Sequence, residues 1–148
     1  MRSMHSITIT VFSKPEDDLP TITQGLVELI PFNLEENKIK ITDDCEKFED
    51  RTIHILRITL TKASHINQFL KDFLSKLEPE QKKTLKEEAE TRIDEEYNFF
   101  IRISKTMWAK HKMIEITDSG DCYHIKFTLA CYPKNRETAL NLVNNLLS

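Results

Sequence analysis

Hydrophobic residues along this chain keep two rhythms, one of two residues and one of three to four, and the switches between them mark the predicted elements. In "SITITVF", Ile7, Ile9 and Val11 alternate with Ser6, Thr8 and Thr10, which predicts a strand with one buried face. "KPEDDLPTITQGLVELI" opens with acids that suit a helix N-terminus and continues with Leu19, Ile22, Leu26 and Leu29 at helical spacing, interrupted by Gly25, a weak helix former. "NKIKITDD" sets Ile39 and Ile41 against Lys38 and Lys40 and predicts a second strand. "RTIHILRITLT" predicts a third, with the acidic, polar stretch between the two read as a turn or loop. Between Ile55 and Leu56 the alternation changes phase, the mark of a bulge or of a strand covered on both faces near one end.

"SHINQFLKDFLSKL" is the clearest helix, because Ile66, Phe69, Leu70, Phe73, Leu74 and Leu77 recur at three- and four-residue intervals. A second helix starts at "EPEQKKTLKEEAETRI" with a thinner stripe of Leu85, Ala89 and Ile93. "YNFFIRIS", a segment near "MIEIT", and "CYHIKFTLACY" have strand character, and a closing helix carries Ala139, Leu142, Val143 and Leu146 on one face. The resulting order, β-α-β-β-α-α-β-β-β-α, predicts a two-layer α+β fold: a mainly antiparallel sheet with helices packed on one face.

Length and charge narrow the picture without changing it. The 148 residues suit one domain spanning 1–148, and two glycines with 30% charged residues suit well-formed elements rather than disorder. No apolar run approaches a membrane span and the N-terminus lacks a signal-peptide core, so a cytoplasmic, membrane-free protein is expected. Cys45, Cys122 and Cys131 are odd in number and widely spaced, which predicts reduced, packed side chains. A formal charge of -3 argues against an overall basic coat. Between Tyr97 and Ile116, however, Arg102, Lys105, Lys110 and Lys112 face Glu115 alone, so a basic surface would be local.

Strand parity then assigns faces. Tyr97, Phe99, Ile101 and Ile103 fit the core, as do Tyr123, Ile125, Phe127 and Leu129, leaving Phe100, Arg102, His124 and Lys126 outward. The same rule turns Lys38, Lys40, Arg57 and Thr59 out. Basic side chains around an aromatic on an open sheet suit RNA, since bases stack on rings while Lys and Arg meet phosphates. The plainer account is a solvated sheet face, with Lys105, Lys110 and Lys112 simply in water and Trp108 sealing the core.

Catalytic and metal chemistry find no support in the pattern. His5, His54, His65, His111 and His124 lack ligand spacing, although His54 and His124 invite a cross-strand pairing. Asp94, Glu95 and Glu96 read as a turn, and two glycines preclude a glycine-rich phosphate loop. No cofactor and no metal are expected.

"RIDEEYNFFIRISK" resembles the signature R-(L/I)-D-E-x-x-x-(F/Y)-(F/Y)-(I/L)-R-(L/I)-x-K of a family of small archaeal proteins described as RNA-binding and as predicted exosome-associated subunits. "HSITITVF", "PEDDL" and "YPK" before the last helix extend the likeness across nearly the whole chain. The resemblance implies a ribosomal protein L-five-like fold and an RNA-related, non-catalytic role, and its motif falls on Arg92, Asp94, Arg102 and Lys105. Family members carry glycines before the first long helix and after the motif lysine, which "TLTKASH" and "TMWAKHKM" lack. A structural account of the motif stands beside this one, with Asp94 pairing with Arg92 or capping the turn that leads to Arg102. Two functions follow: an RNA-binding accessory factor of RNA processing or degradation, or a protein-interaction subunit of such a complex without direct RNA contact.

Overall fold

The computed structural model describes residues 3–118 and 120–148. Its elements run β1 (Met4–Ser13), α1 (Leu19–Glu28), β2 (Thr42–Phe48), β3 (Arg51–Leu60), α2 (Ala63–Ser75), α3 (Pro79–Glu87), α4 (Ala89–Arg92), β4 (Asn98–Ser104), α5 (Lys105–His111), β5 (Cys122–Leu129) and α6 (Arg136–Leu146). The strands form one antiparallel sheet in the order β2-β3-β1-β5-β4, with helices packed on it, so the α+β expectation holds. Alternation does what parity requires: Ile7, Ile9 and Val11 of β1, Ile101 and Ile103 of β4, and Tyr123, Ile125 and Phe127 of β5 are buried, and the residues between them are less so.

Five expectations need correction. The second strand lies at Thr42–Phe48, sharing only Thr42–Asp44 with the expected run and continuing into the acidic segment read as a loop, whereas Lys38 sits in a turn at φ 58° and Lys40 in coil. Cross-strand pairing with β3 selected that register, and every residue of β2 is exposed, so no hydrophobic pattern announced it. The register from Thr42↔Arg57 to Phe48↔Arg51 runs unbroken through Ile55 and Leu56, so the phase change reflects half-exposed Ile53 and Ile55 rather than a bulge there. "MIEIT" contributes a single bridge, Ile116 to Ile103, and the run after Ser104 is a helix, α5. Tyr97 takes φ 63° in a turn and is half-buried, and Asn98 occupies the buried position. Cys45, finally, is exposed, while Cys122 and Cys131 are packed.

The described chain divides into two compact units. One comprises residues through Ile7, Leu60–Ile101 and Lys126–Ser148. Its core is aromatic: Phe69 of α2 stacks on Phe73 at 5.6 Å between ring centroids and meets Phe127 at 6.4 Å, and Phe127 meets Phe99 at 5.8 Å. Burying each such ring contributes about 2 to 3 kcal/mol. Helix α3 starts at Pro79 under a reciprocal Glu78–Gln81 capping box, and Asn135 caps α6 by accepting from the Thr138 N–H at 2.8 Å.

The other unit comprises Thr8–Thr59 and Arg102–Ile125. Asp18 caps α1, and Gly25 explains its own presence there. A Cβ at Gly25 would overlap the Tyr123 hydroxyl and lie 3.4 Å from the Ala109 Cα. The bare backbone lets α1 settle against α5 and β5, where Trp108 Nε1 donates to the Gly25 carbonyl at 2.7 Å and Tyr123 Oη donates to the Ile22 carbonyl at 2.8 Å. Both polar tips are thereby satisfied inside the core, and burial pushes the Tyr123 phenol far above its ordinary range.

Candidate nucleic-acid interface

The less-buried side of the sheet carries different chemistry in the two units. In the unit of Thr8–Thr59 and Arg102–Ile125, that parity presents Thr10 and Phe12 from β1, Arg57 and Thr59 from β3, Arg102 from β4 and His124 from β5. Arg57 Nε donates to Thr10 Oγ1 at 3.3 Å and its guanidinium stands 3.5 Å from Asp44, so part of its charge is engaged. Arg102 forms no ion pair among the described residues, and its charge reaches Cys122, whose thiol burial pushes up and Arg102 pulls back. In the other unit, Phe100 and Lys126 are half-buried on the same parity.

Arg92 and Asp94 of the motif brace the entry to β4. Arg92 is buried and pairs with Glu88 at 3.1 Å, one helical turn earlier, with its guanidinium also directed at the Phe100 carbonyl at 3.5 Å. Asp94 therefore does not take Arg92 as its partner. It accepts from the backbone N–H of Glu96 at 3.0 Å and of Asn98 at 2.9 Å, and from Asn98 Nδ2 at 3.1 Å. Asn98 Oδ1 in turn accepts from Thr128 at 2.8 Å, tying the turn to β5. Burial alone would raise the Asp94 carboxyl, but these donors and the charge of Lys126 hold it below the usual carboxylate range.

Lys105 overturns the expectation of a solvated basic extension. It opens α5 at 3% exposure, and its ammonium donates to Asp17 at 2.7 Å, to Asp121 at 2.8 Å and to the Phe12 carbonyl at 3.0 Å. Ser104 is the cap of that helix, accepting from the Met107 N–H, so the chain turns inward where the motif ends. Burial by itself would lower the Lys105 pKa, yet hydrogen bonds and charge from the two aspartates raise it. Asp17 is held low against its own burial by Lys105 and the Lys14 N–H, and Asp121 is held low chiefly by Lys105. Lys14 adds a second pair with Asp121 at 3.2 Å.

The remaining sequence candidates scatter. Lys38 and Lys40 are exposed but lie outside the strands, Lys110 is exposed on the last turn of α5, and Lys112, left-handed at φ 53°, pairs with Glu28 at 3.3 Å. His54 meets Asp43 across β2 and β3 at 2.8 Å, not His124, because β1 stands between their strands. Among the described residues no group of His, Cys, Asp or Glu has the geometry of a metal site, and no helix is long and apolar enough to cross a membrane. The sequence reading missed Asp17, Asp121 and Lys14, which no spacing links to Lys105. It also missed Phe12, 49% exposed, whose outward parity continued from Thr8 and Thr10 and was legible.

Comparison with known proteins adds what geometry leaves open. An RNA-binding protein of Pyrococcus abyssi is 23% identical over 144 residues, covering 97% of this chain and 93% of its own length. A DUF54 protein of Archaeoglobus fulgidus superposes with a TM-score of 0.83 at 25% identity, covering 99% of both chains. A DUF54 protein of Methanothermobacter thermautotrophicus has the same fold, with a TM-score of 0.78 at 22% identity and 99% coverage of both chains. A family model described as RNA binding matches residues 6–129, and the chain belongs to that RNA-binding family.

Proposed function

We propose that this protein is a non-catalytic RNA-binding accessory factor of RNA processing or degradation, and that it meets RNA on the wet side of its sheet. Family membership carries the reading, and the side chains support it. Arg102 is the principal phosphate contact, aided in its own unit by Arg57 and His124. Lys105 drops out of the contacting set because its charge is enclosed by two aspartates. Asp94 serves by fixing the turn before β4, and Arg92 by bracing it.

A salt titration tests the proposal. Affinity for RNA should fall steeply with salt, and Arg102→Ala should weaken binding and reduce the slope of log affinity against log salt by about one unit. Undetectable binding of both single- and double-stranded RNA at low salt would end this reading. A protein-interaction role without RNA contact would then stand in its place, and the acidic β2–β3 hairpin with Phe48 at 70% exposure favours that second reading.

A further inference from the structure

Phe12 is half-exposed near the end of β1, the central strand of the sheet, between buried Val11 and buried Ser13. A single exposed aromatic is ordinary on a protein surface. Two observations set this one apart. Its backbone is tied down: the Phe12 carbonyl accepts from the buried Lys105 ammonium, which is itself gripped by Asp17 and Asp121. The surroundings also carry cations, since the parity that turns Phe12 outward on β1 turns out Arg57 on the adjacent β3 and Arg102 on β4, with the imidazole of His124 on the adjacent β5. Phe48, more exposed still, lies instead at the tip of the β2–β3 hairpin, on an edge strand whose Asp43, Asp44 and Glu46 outnumber Lys47.

We propose that Phe12 is a base-stacking residue for single-stranded RNA, and that the motif lysine Lys105 is its positioning residue. The idea rests on the RNA-binding reading and names the substrate class. A ring held at a set position on an open sheet, with cations beside it for the backbone, receives the face of an unpaired base, and a duplex, whose bases are already stacked, cannot offer one. Lys105 acts at one remove: by fixing the Phe12 carbonyl it fixes the direction in which the ring leaves the strand.

The test uses the full chain and two fluorescein-labelled probes about twelve nucleotides long, an oligouridine strand and a mixed-sequence RNA duplex, titrated over a range of salt. Phe12→Ala should bind the single strand about tenfold more weakly with its salt slope unchanged, because no charge is lost, and should bind the duplex as the parent does. Phe12→Trp should retain single-strand affinity. Lys105→Met, measured where circular dichroism reports it folded, should lose single-strand affinity in the parent and lose nothing further in the Phe12→Ala background, which a purely structural lysine would not do. Phe12→Ala binding the single strand like the parent, or losing both RNAs equally, would overturn the stacking role. Additive losses in the double variant would overturn the positioning role. A parent that binds neither probe at low salt removes the RNA reading itself, an outcome distinct from failure of Phe12 alone.

Discussion

Two regions of the same unit use charged residues in opposite ways. At the corner of α1, α5 and the start of β5, Lys105 lies at 4% side-chain exposure between Asp17 at 20% and Asp121 at 48%. Along the β2–β3 hairpin, Arg57–Asp44 stands at 42% and 68%, and His54–Asp43 at 29% and 42%. Each pair joins a basic nitrogen to an aspartate, at 2.7 and 2.8 Å on the corner and at 3.5 and 2.8 Å on the hairpin. Burial separates them: at the corner an unpaired ammonium would face protein rather than water, so the aspartates are needed to hold it, whereas on the hairpin solvent screens each pair to a fraction of a kcal/mol. Charge at the corner therefore fixes backbone, and charge on the hairpin shapes a surface.

Breaking the corner should produce the largest effect. Lys105→Ala removes the cation that joins β1, the α1 entry and the β5 entry, and should cost about 3 kcal/mol, read as a fall of about 10 °C in the thermal midpoint. Gly25→Ala comes next, at about 2 kcal/mol, because the new methyl displaces Tyr123 from its bond to the Ile22 carbonyl. Tyr123→Phe in that background should recover part of the loss by removing the overlapping oxygen. If Gly25→Ala is instead as stable as the parent, the close approach of α1 to β5 does not require a glycine.

Acid should sharpen the comparison further. Asp17 and Asp121 have folded pKa values below their unfolded ones, so their contribution is present above the unfolded value, about pH 4, and is lost as pH falls through the folded values. Lys105 has a raised folded pKa, so its contribution is complete below its unfolded value and is lost only as pH rises through the folded one, in strong alkali. Denaturant melts between about pH 2 and 4 should show a steep limb in the parent and a shallower one in Lys105→Met. An unchanged limb would mean that the aspartates owe their depressed values to something other than Lys105. The hairpin should respond least: His54→Ala should move stability by no more than about 0.5 kcal/mol, and a larger loss would mean that its pair with Asp43 is better shielded than its exposure indicates.

The fold was legible wherever one side of an element is wet and the other dry. Ile7, Ile9 and Val11, the Ile66–Phe73 stripe and Tyr123 to Leu129 carry their burial in their spacing. Strand β2 was not legible because all seven of its residues are exposed and only pairing with β3 makes them a strand. Helix α5 was missed for a related reason: its buried residues Lys105, Trp108 and Ala109 include a lysine, and pattern rules place a lysine in water. Of the candidate site, the outward placement of Phe100, Arg102, His124 and Lys126 followed from period two alone. The strand placement of Lys38 and Lys40 did not hold, because the strand they were assigned to begins only at Thr42.

By itself the sequence determined the α+β composition, the core faces of its strands and helices, and the motif from Arg92 to Lys105, because these depend on spacing and residue type along a local stretch. Only the tertiary structure decided what each motif residue does. Arg102 and Lys105 stand three residues apart with the same charge, yet one lies on the wet side of the sheet and the other is enclosed by Asp17, 88 positions away in sequence, and by Asp121. Whether a cation meets solvent or a pair of carboxylates is set by which distant segments the fold brings to it, and no local spacing carries that information.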